Sequence, residues 1–174
     1  LGEASDSTDD GINLAVRLIE CIKPASRCKD VPTLLVALSL LILLIPYTSG
    51  IAKTEVLRTI ILLLAHRFPK VRKAAADQLY VHFITYGDVG ELDALPRDDD
   101  EATQVDVTDP PMAAGDARLE FVMGVLLETA WLDALDDHAK PSRAKLLAAY
   151  GLPPPKVTAT VTKESKVKEE DTYK

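Results

Sequence analysis

Leu62–Tyr80 reads LLLAHRFPKVRKAAADQLY. One proline stands between two helical patterns, with basic residues around it and three alanines after it. Residues before a proline are pushed out of the helical region, whereas proline itself suits a first helical turn. The spacing therefore predicts one helix ending near Arg67 and a second starting at Pro69 and running to about Tyr86. Val71, Ala75, Leu79, His82 and Tyr86 recur at helical spacing on one face of that second helix, with Phe83 beside them.

Similar patterns extend in both directions. Ile12–Ile22 reads as a first helix with Asp10 as its cap and Pro24 as its stop. Leu34–Ile45 is apolar all round and bracketed by Pro32 and Pro46, with Asp30 or Thr33 at its start. A bilayer-spanning helix needs roughly 20 apolar residues, so this shorter one is expected in a protein core rather than a membrane. Thr54–Arg67 forms the third helix and Pro69–Tyr86 the fourth. Asp116–Trp131 is the fifth, carrying Leu119, Val122, Met123, Leu126 and Ala130 on one face. Pro141 kinks or restarts the chain into a last helix, Ser142–Tyr150, with Gly151 as its cap residue.

Gly87–Gly115 breaks the pattern. Nine acids and a single basic residue, Arg97, lie between Asp88 and Asp109. Such a segment buries too little apolar surface to offset its ordering entropy. It is expected to be a disordered acidic loop over 88–115, with a helical turn near Leu92–Leu95 as its one candidate element. Residues 1–10 are expected as a flexible lead-in, 11–152 as the helical domain and 153–174 as a flexible tail. The chain opens on Leu1 with no signal-peptide layout, which reads as a processed chain or a piece of a longer one.

Composition agrees with an all-α domain. Hydrophobic residues make up 47% of the 174 but aromatics only 5%, so Leu, Ala and Val do the packing. A net charge of -7 disfavours a nucleic-acid binder. Cys21 and Cys28 match no metal or redox spacing and are expected as free thiols in a reducing compartment. No nucleotide-binding glycine motif and no zinc-protease motif is present, and no cofactor is implied. A satisfied core position explains His82, and a solvated helix end explains His138. Asp133, Asp136 and Asp137 read as a solvated acidic face.

Helices joined by short turns pack as antiparallel pairs. A Val-Arg step followed by small residues and then Leu near a helix start has the look of the second helix of a HEAT repeat. The fold expected is thus a HEAT-like α-solenoid domain of about six helices, with an extended surface for partners. Arg67, Lys70, Arg72 and Lys73 form a basic corner at the turn, suited to steering an acidic partner. An ordinary charged turn, with Arg72 paired to a carboxylate, is the plainer reading. Trp131 reads as a packing anchor between the fifth and last helices, or as an interface hot spot.

Several stretches together resemble the C-terminal part of the tubulin-folding cofactor D family: NLAVRLIECI, KDVPTLL, the opening stretch with ITYGDV after it, LLETAW and GLPPP. The similarity covers Asn13–Pro155. The acidic loop looks like an expansion, and the tail matches nothing in the family. The resemblance implies a cytoplasmic, cytoskeleton-associated chaperone without catalytic residues. It would bind β-tubulin and assemble or take apart the α/β-tubulin dimer. Its co-workers would be cofactors C and E and a small Arf-like GTPase, the whole assembly stimulating GTP hydrolysis by tubulin. A generic HEAT adaptor in transport or chromatin assembly is the alternative, and a membrane-associated helical protein using Leu34–Ile45 is a third reading.

Overall fold

The structure, a computed structural model, describes residues 7–95 and 111–155, and of residues 7–15 the backbone alone. Six α-helices carry the fold: α1 Ser7–Ala25, α2 Val31–Leu44, α3 Gly50–Leu63, α4 Pro69–Tyr86, α5 Asp116–Glu128 and α6 Lys140–Ala149. Among the described residues there is no strand. No helix there is long and apolar enough to cross a membrane.

The helices form two rows. α1 packs on α3 and α3 on α6, while α2 packs on α4 and α4 on α5; the rows meet through α1–α2, α2–α3, α3–α4 and α5–α6. The first two pairs are compatible with a helical repeat. The third is entered in reverse order, because α5 lies beside α4 instead of returning to the row of α3. Between the rows sits a continuous core of Leu34, Leu38, Leu41, Leu57, Ile60, Ile61, Leu64, Leu79 and Phe83. Ala75 and Ala76 are buried in α4, the helix held between α2 and α5, where small side chains allow a close approach.

The opening stretch folds as its proline dictates. Phe68 is extended (φ −87°, ψ 116°) and Pro69 opens α4. At the other end of the chain, Gly151 takes φ +64°. Leu152 N–H donates to Leu147 O (2.8 Å) and Gly151 N–H to Ala148 O (3.0 Å), the paired bonds that close a helix on a left-handed residue.

Several boundaries differ from expectation. α1 starts at Ser7, inside the expected lead-in, so Asp10 lies within the helix rather than capping it. Pro24 is also inside α1, in its last turn, where the chain leaves through bonds from Arg27 N–H to Pro24 O and Cys28 N–H to Ala25 O. α3 begins a turn early, at Gly50. α5 stops at Glu128, leaving Trp131 outside it. A single π turn, Leu135–Ala139, leads into α6 at Lys140. Tyr86, expected on the inner face of α4, is exposed. α2 is not enclosed either: Val36, Leu40 and Leu43 face outward, because α1, α3 and α4 cover only the side bearing Leu34, Leu38 and Leu41.

Only the two ends of the acidic segment are described. Its two ends are fixed, Leu92–Leu95 forms no helical turn, and 96–110 lies outside the described residues. Asp88 accepts from Arg118 Nε (3.1 Å) and Nη2 (2.5 Å), and from the N–H groups of Gly90 (3.3 Å) and Gly115 (3.2 Å). Lys53 donates to Val89 O and Thr54 to Asp93 O. A buried two-pronged ion pair thus ties the end of α4 to the start of α5. Of the expected tail, Pro153–Pro155 is described, with Arg58 donating to the carbonyls of Pro153 and Pro154.

Candidate partner-binding surface

The basic corner separates into two groups. Arg67, Lys70 and Lys73 are exposed. The Arg67 guanidinium stacks on the Phe68 ring at 4.5 Å, and Lys73 pairs with Asp77 one turn along α4. An exposed pair of this kind contributes little to stability, so these charges remain available to a partner.

Arg72 does not belong to that surface, and the expectation that it pairs a carboxylate is corrected. It is only 2% exposed. Its guanidinium donates to four carbonyls: Trp131 O (2.8 Å), Asp133 O (2.6 Å), His66 O (2.9 Å) and Arg67 O (3.4 Å). The first two follow α5 and the last two follow α3. These four carbonyls satisfy the guanidinium donors and stabilise the buried charge through charge-assisted hydrogen bonds.

Trp131 is likewise removed from the surface. It is 3% exposed and its Nε1–H donates to Leu126 O at 2.8 Å. With the ring buried and its one donor satisfied, Trp131 is a packing anchor. It lies beside Ala76 of α4, in the chain that follows the end of α5 at Glu128.

His66 sits within the corner. Its Nδ1 accepts from Phe68 N–H at 3.3 Å. Burial, followed by the nearby charges of Arg67 and Arg72, pushes its pKa below the usual histidine value. The ring therefore stays neutral and keeps its acceptor. His82 is buried with its ring 4.9 Å from that of Tyr86; desolvation, then Lys53, lowers its pKa as well. His138, Asp133, Asp136 and Asp137 are exposed. Cys21 and Cys28 are unbridged.

Between α4 and the chain leaving α5 lies an open groove of about 340 Å³. Its rim carries Lys73, Asp77 and Tyr80, its floor Ala76 and Trp131, and its far wall Leu127 and Leu132. Leu127 and Leu132 are exposed. Among the described residues no group of three His, Cys, Asp or Glu side chains could hold a metal ion.

Sequence reasoning missed two residues that position this surface, Arg118 and Asp88. The signal was present: Arg118 stands four residues before Val122 and eight before Leu126, on the buried stripe of α5. With Arg72 at one end of α4 and Asp88–Arg118 at the other, α4 and α5 are pinned antiparallel along their length. No protein-family model matches the chain, and no solved structure matches it.

Proposed function

We propose that this chain is the C-terminal part of a tubulin-folding chaperone of the cofactor D type. In this reading it is a cytoplasmic, cytoskeleton-associated binding domain without catalytic residues. It contributes to binding β-tubulin and to assembly and disassembly of the α/β-tubulin dimer, together with cofactors C and E and a small Arf-like GTPase.

The reading rests on the resemblance of the segments between Asn13 and Pro155, and one observation carries it furthest. In a protein of net charge -7, Arg67, Lys70 and Lys73 stand exposed at one turn of a two-row helical stack, next to an open groove that carries exposed Leu127 and Leu132 on its wall. Positive charge beside apolar surface suits an acidic protein partner, because the charge orients the encounter and the groove supplies buried area.

The test is a binding titration of the purified protein against α/β-tubulin, with and without the GTP-bound Arf-like GTPase. Saturable, salt-sensitive binding to tubulin is expected. Binding to neither protein, with the fold intact, would reject the reading in favour of an adaptor for some other partner.

A further inference from the structure

α2 and α4 lie side by side and each doubles back on α3, so their N-terminal ends point the same way. Five exposed basic residues gather at that end. Arg27 and Lys29 precede α2, and Arg67, Lys70 and Lys73 surround the start of α4. Acids stand among them, Asp30 capping α2 by accepting from Thr33 N–H and Asp77 paired with Lys73, which leaves Arg27, Lys29, Arg67 and Lys70 in excess. Two helix N-terminal dipoles add to the same positive end.

Farther along, the outward faces of both helices turn apolar. Val36 (61% exposed), Leu40 and Leu43 recur at steps of four and three on α2. Val81 and Ile84 are exposed on α4, which packs against it. No charged residue occurs from Val31 to Ala52. Ser39, in the middle of the α2 face, donates its hydroxyl back to Leu35 O, so a partner passes over it without stranding that donor. Exposed apolar side chains recurring along one helix face mark an interaction site, and the i, i+4, i+7 anchors of α2 suit a helix laid along it.

We propose that the outer face of α2 and α4 docks an amphipathic helix of a partner that ends in carboxylates. Its apolar stripe covers Val36, Leu40, Leu43, Val81 and Ile84, and its acidic end meets Lys29, Arg67 and Lys70. The occupant is defined by charge complementarity: one end of the track is basic and the α2 face beyond it carries no charge, so a helix with one acidic end binds in one direction only. This deepens the chaperone reading and rests on it only for the identity of the natural partner.

The probes are two synthetic helical peptides with leucines at i, i+3, i+4 and i+7, one ending in four glutamates and the other in four lysines. Titrated against the whole chain at low salt, the glutamate peptide is expected to bind at least tenfold more tightly than the lysine peptide, with the difference shrinking at physiological salt. The double variant L40Q/L43Q should lose the glutamate peptide, whereas I51Q, at an exposed isoleucine of α3, should retain it. All three substitutions lie on exposed positions, and unchanged thermal unfolding confirms that each variant is folded. Equal affinity for both peptides, or full binding by L40Q/L43Q, overturns the proposal. So does a dimer in sedimentation equilibrium that L40Q/L43Q dissolves, because the face would then belong to a second copy. Tubulin serves as a separate arm. If the glutamate peptide binds and tubulin does not, the docking face stands and the chaperone reading falls. If tubulin binds L40Q/L43Q as well as wild type, the chaperone reading stands and this face is not the one used.

Discussion

The Arg72 guanidinium donates from Nε to the main-chain carbonyl of Trp131 at 2.8 Å, across 59 residues of sequence. This bond joins the two residues that the sequence offered as surface contacts and makes both of them internal. It also ties the turn before α4 to the chain leaving α5. Arg72→Ala should lower stability by about 3 kcal/mol, since it strands buried carbonyls and opens a void. Lys70→Ala, two residues away in solvent, should change stability by less than about 0.5 kcal/mol. Chemical denaturation of the two variants side by side checks the contrast.

At the other end of α4, Asp88 and Arg118 form a buried pair whose side chains are 9% and 4% exposed. Removing one partner of such a pair leaves a charge without compensation, so Asp88→Ala should cost about 3–5 kcal/mol. Replacing both, as in D88L/R118M, should cost much less than the sum of the single changes. A double-mutant cycle measured by urea unfolding reads this coupling. Additive losses would mean that the two side chains act independently.

His66 and His82 both have pKa values lowered on folding, chiefly by burial. A depressed pKa means that the unfolded chain takes up protons first as pH falls. Stability is therefore full above the unfolded value near 6.5 and is lost as pH drops through the lower folded values. Acidification from pH 7.5 to 5 should lower the melting temperature, and a variant carrying H66Q and H82Q should show a shallower decline. Parallel curves for the two proteins would assign the acid sensitivity elsewhere. At alkaline pH the sign is set by Tyr150. Burial, and then the Asp88 charge, push its pKa up, so stability should fall once pH exceeds the unfolded tyrosine value near 10.

Gly151 satisfies two demands. Its φ of +64° suits glycine, and a Cβ there would lie 3.0 Å from Pro111 Cβ. Gly151→Ala should cost about 1–2 kcal/mol from backbone conformation alone, with more from the contact. Gly124, around which a Cβ would meet nothing within 4 Å, should accept alanine with no loss, since alanine favours the helix. Melting temperatures of the two variants separate the sites.

The position of the acidic segment bears on the basic corner. α4 contains 18 residues and so spans about 27 Å, with Lys70 at one end and Asp88 just past the other. The roots of the acidic segment are therefore fixed a helix length from the corner. Deleting Asp98–Asp109 should leave affinity for an acidic partner unchanged. Tighter binding after the deletion would show that the segment masks the corner.

The local punctuation of the fold was legible and its long-range contacts were not. Pro69 fixed the start of α4, because proline acts on its own neighbours. Ser7 was missed because several residues from Ser7 to Asp10 can each cap a helix, and Pro24 was tolerated because it falls in a last turn. Arg72 looked like a surface charge, and Arg118 drew no reading. Their burial depends on acceptors 59 and 30 residues away, although both arginines already lay on the apolar stripes of their helices. α2, by contrast, is apolar on all sides in sequence and still exposed along one of them, since composition does not say how many neighbours a helix will have.

Arg72 and Trp131 hold the fold, and Arg67, Lys70 and Lys73 are proposed to face a partner. A tubulin titration of wild type and K70E/K73E at low and physiological salt, with melting curves for both, separates the two roles. Binding that weakens with salt is expected in the wild type, at least tenfold weaker binding in the variant, and the same melting temperature for both. Equal affinities at low salt would contradict the proposal.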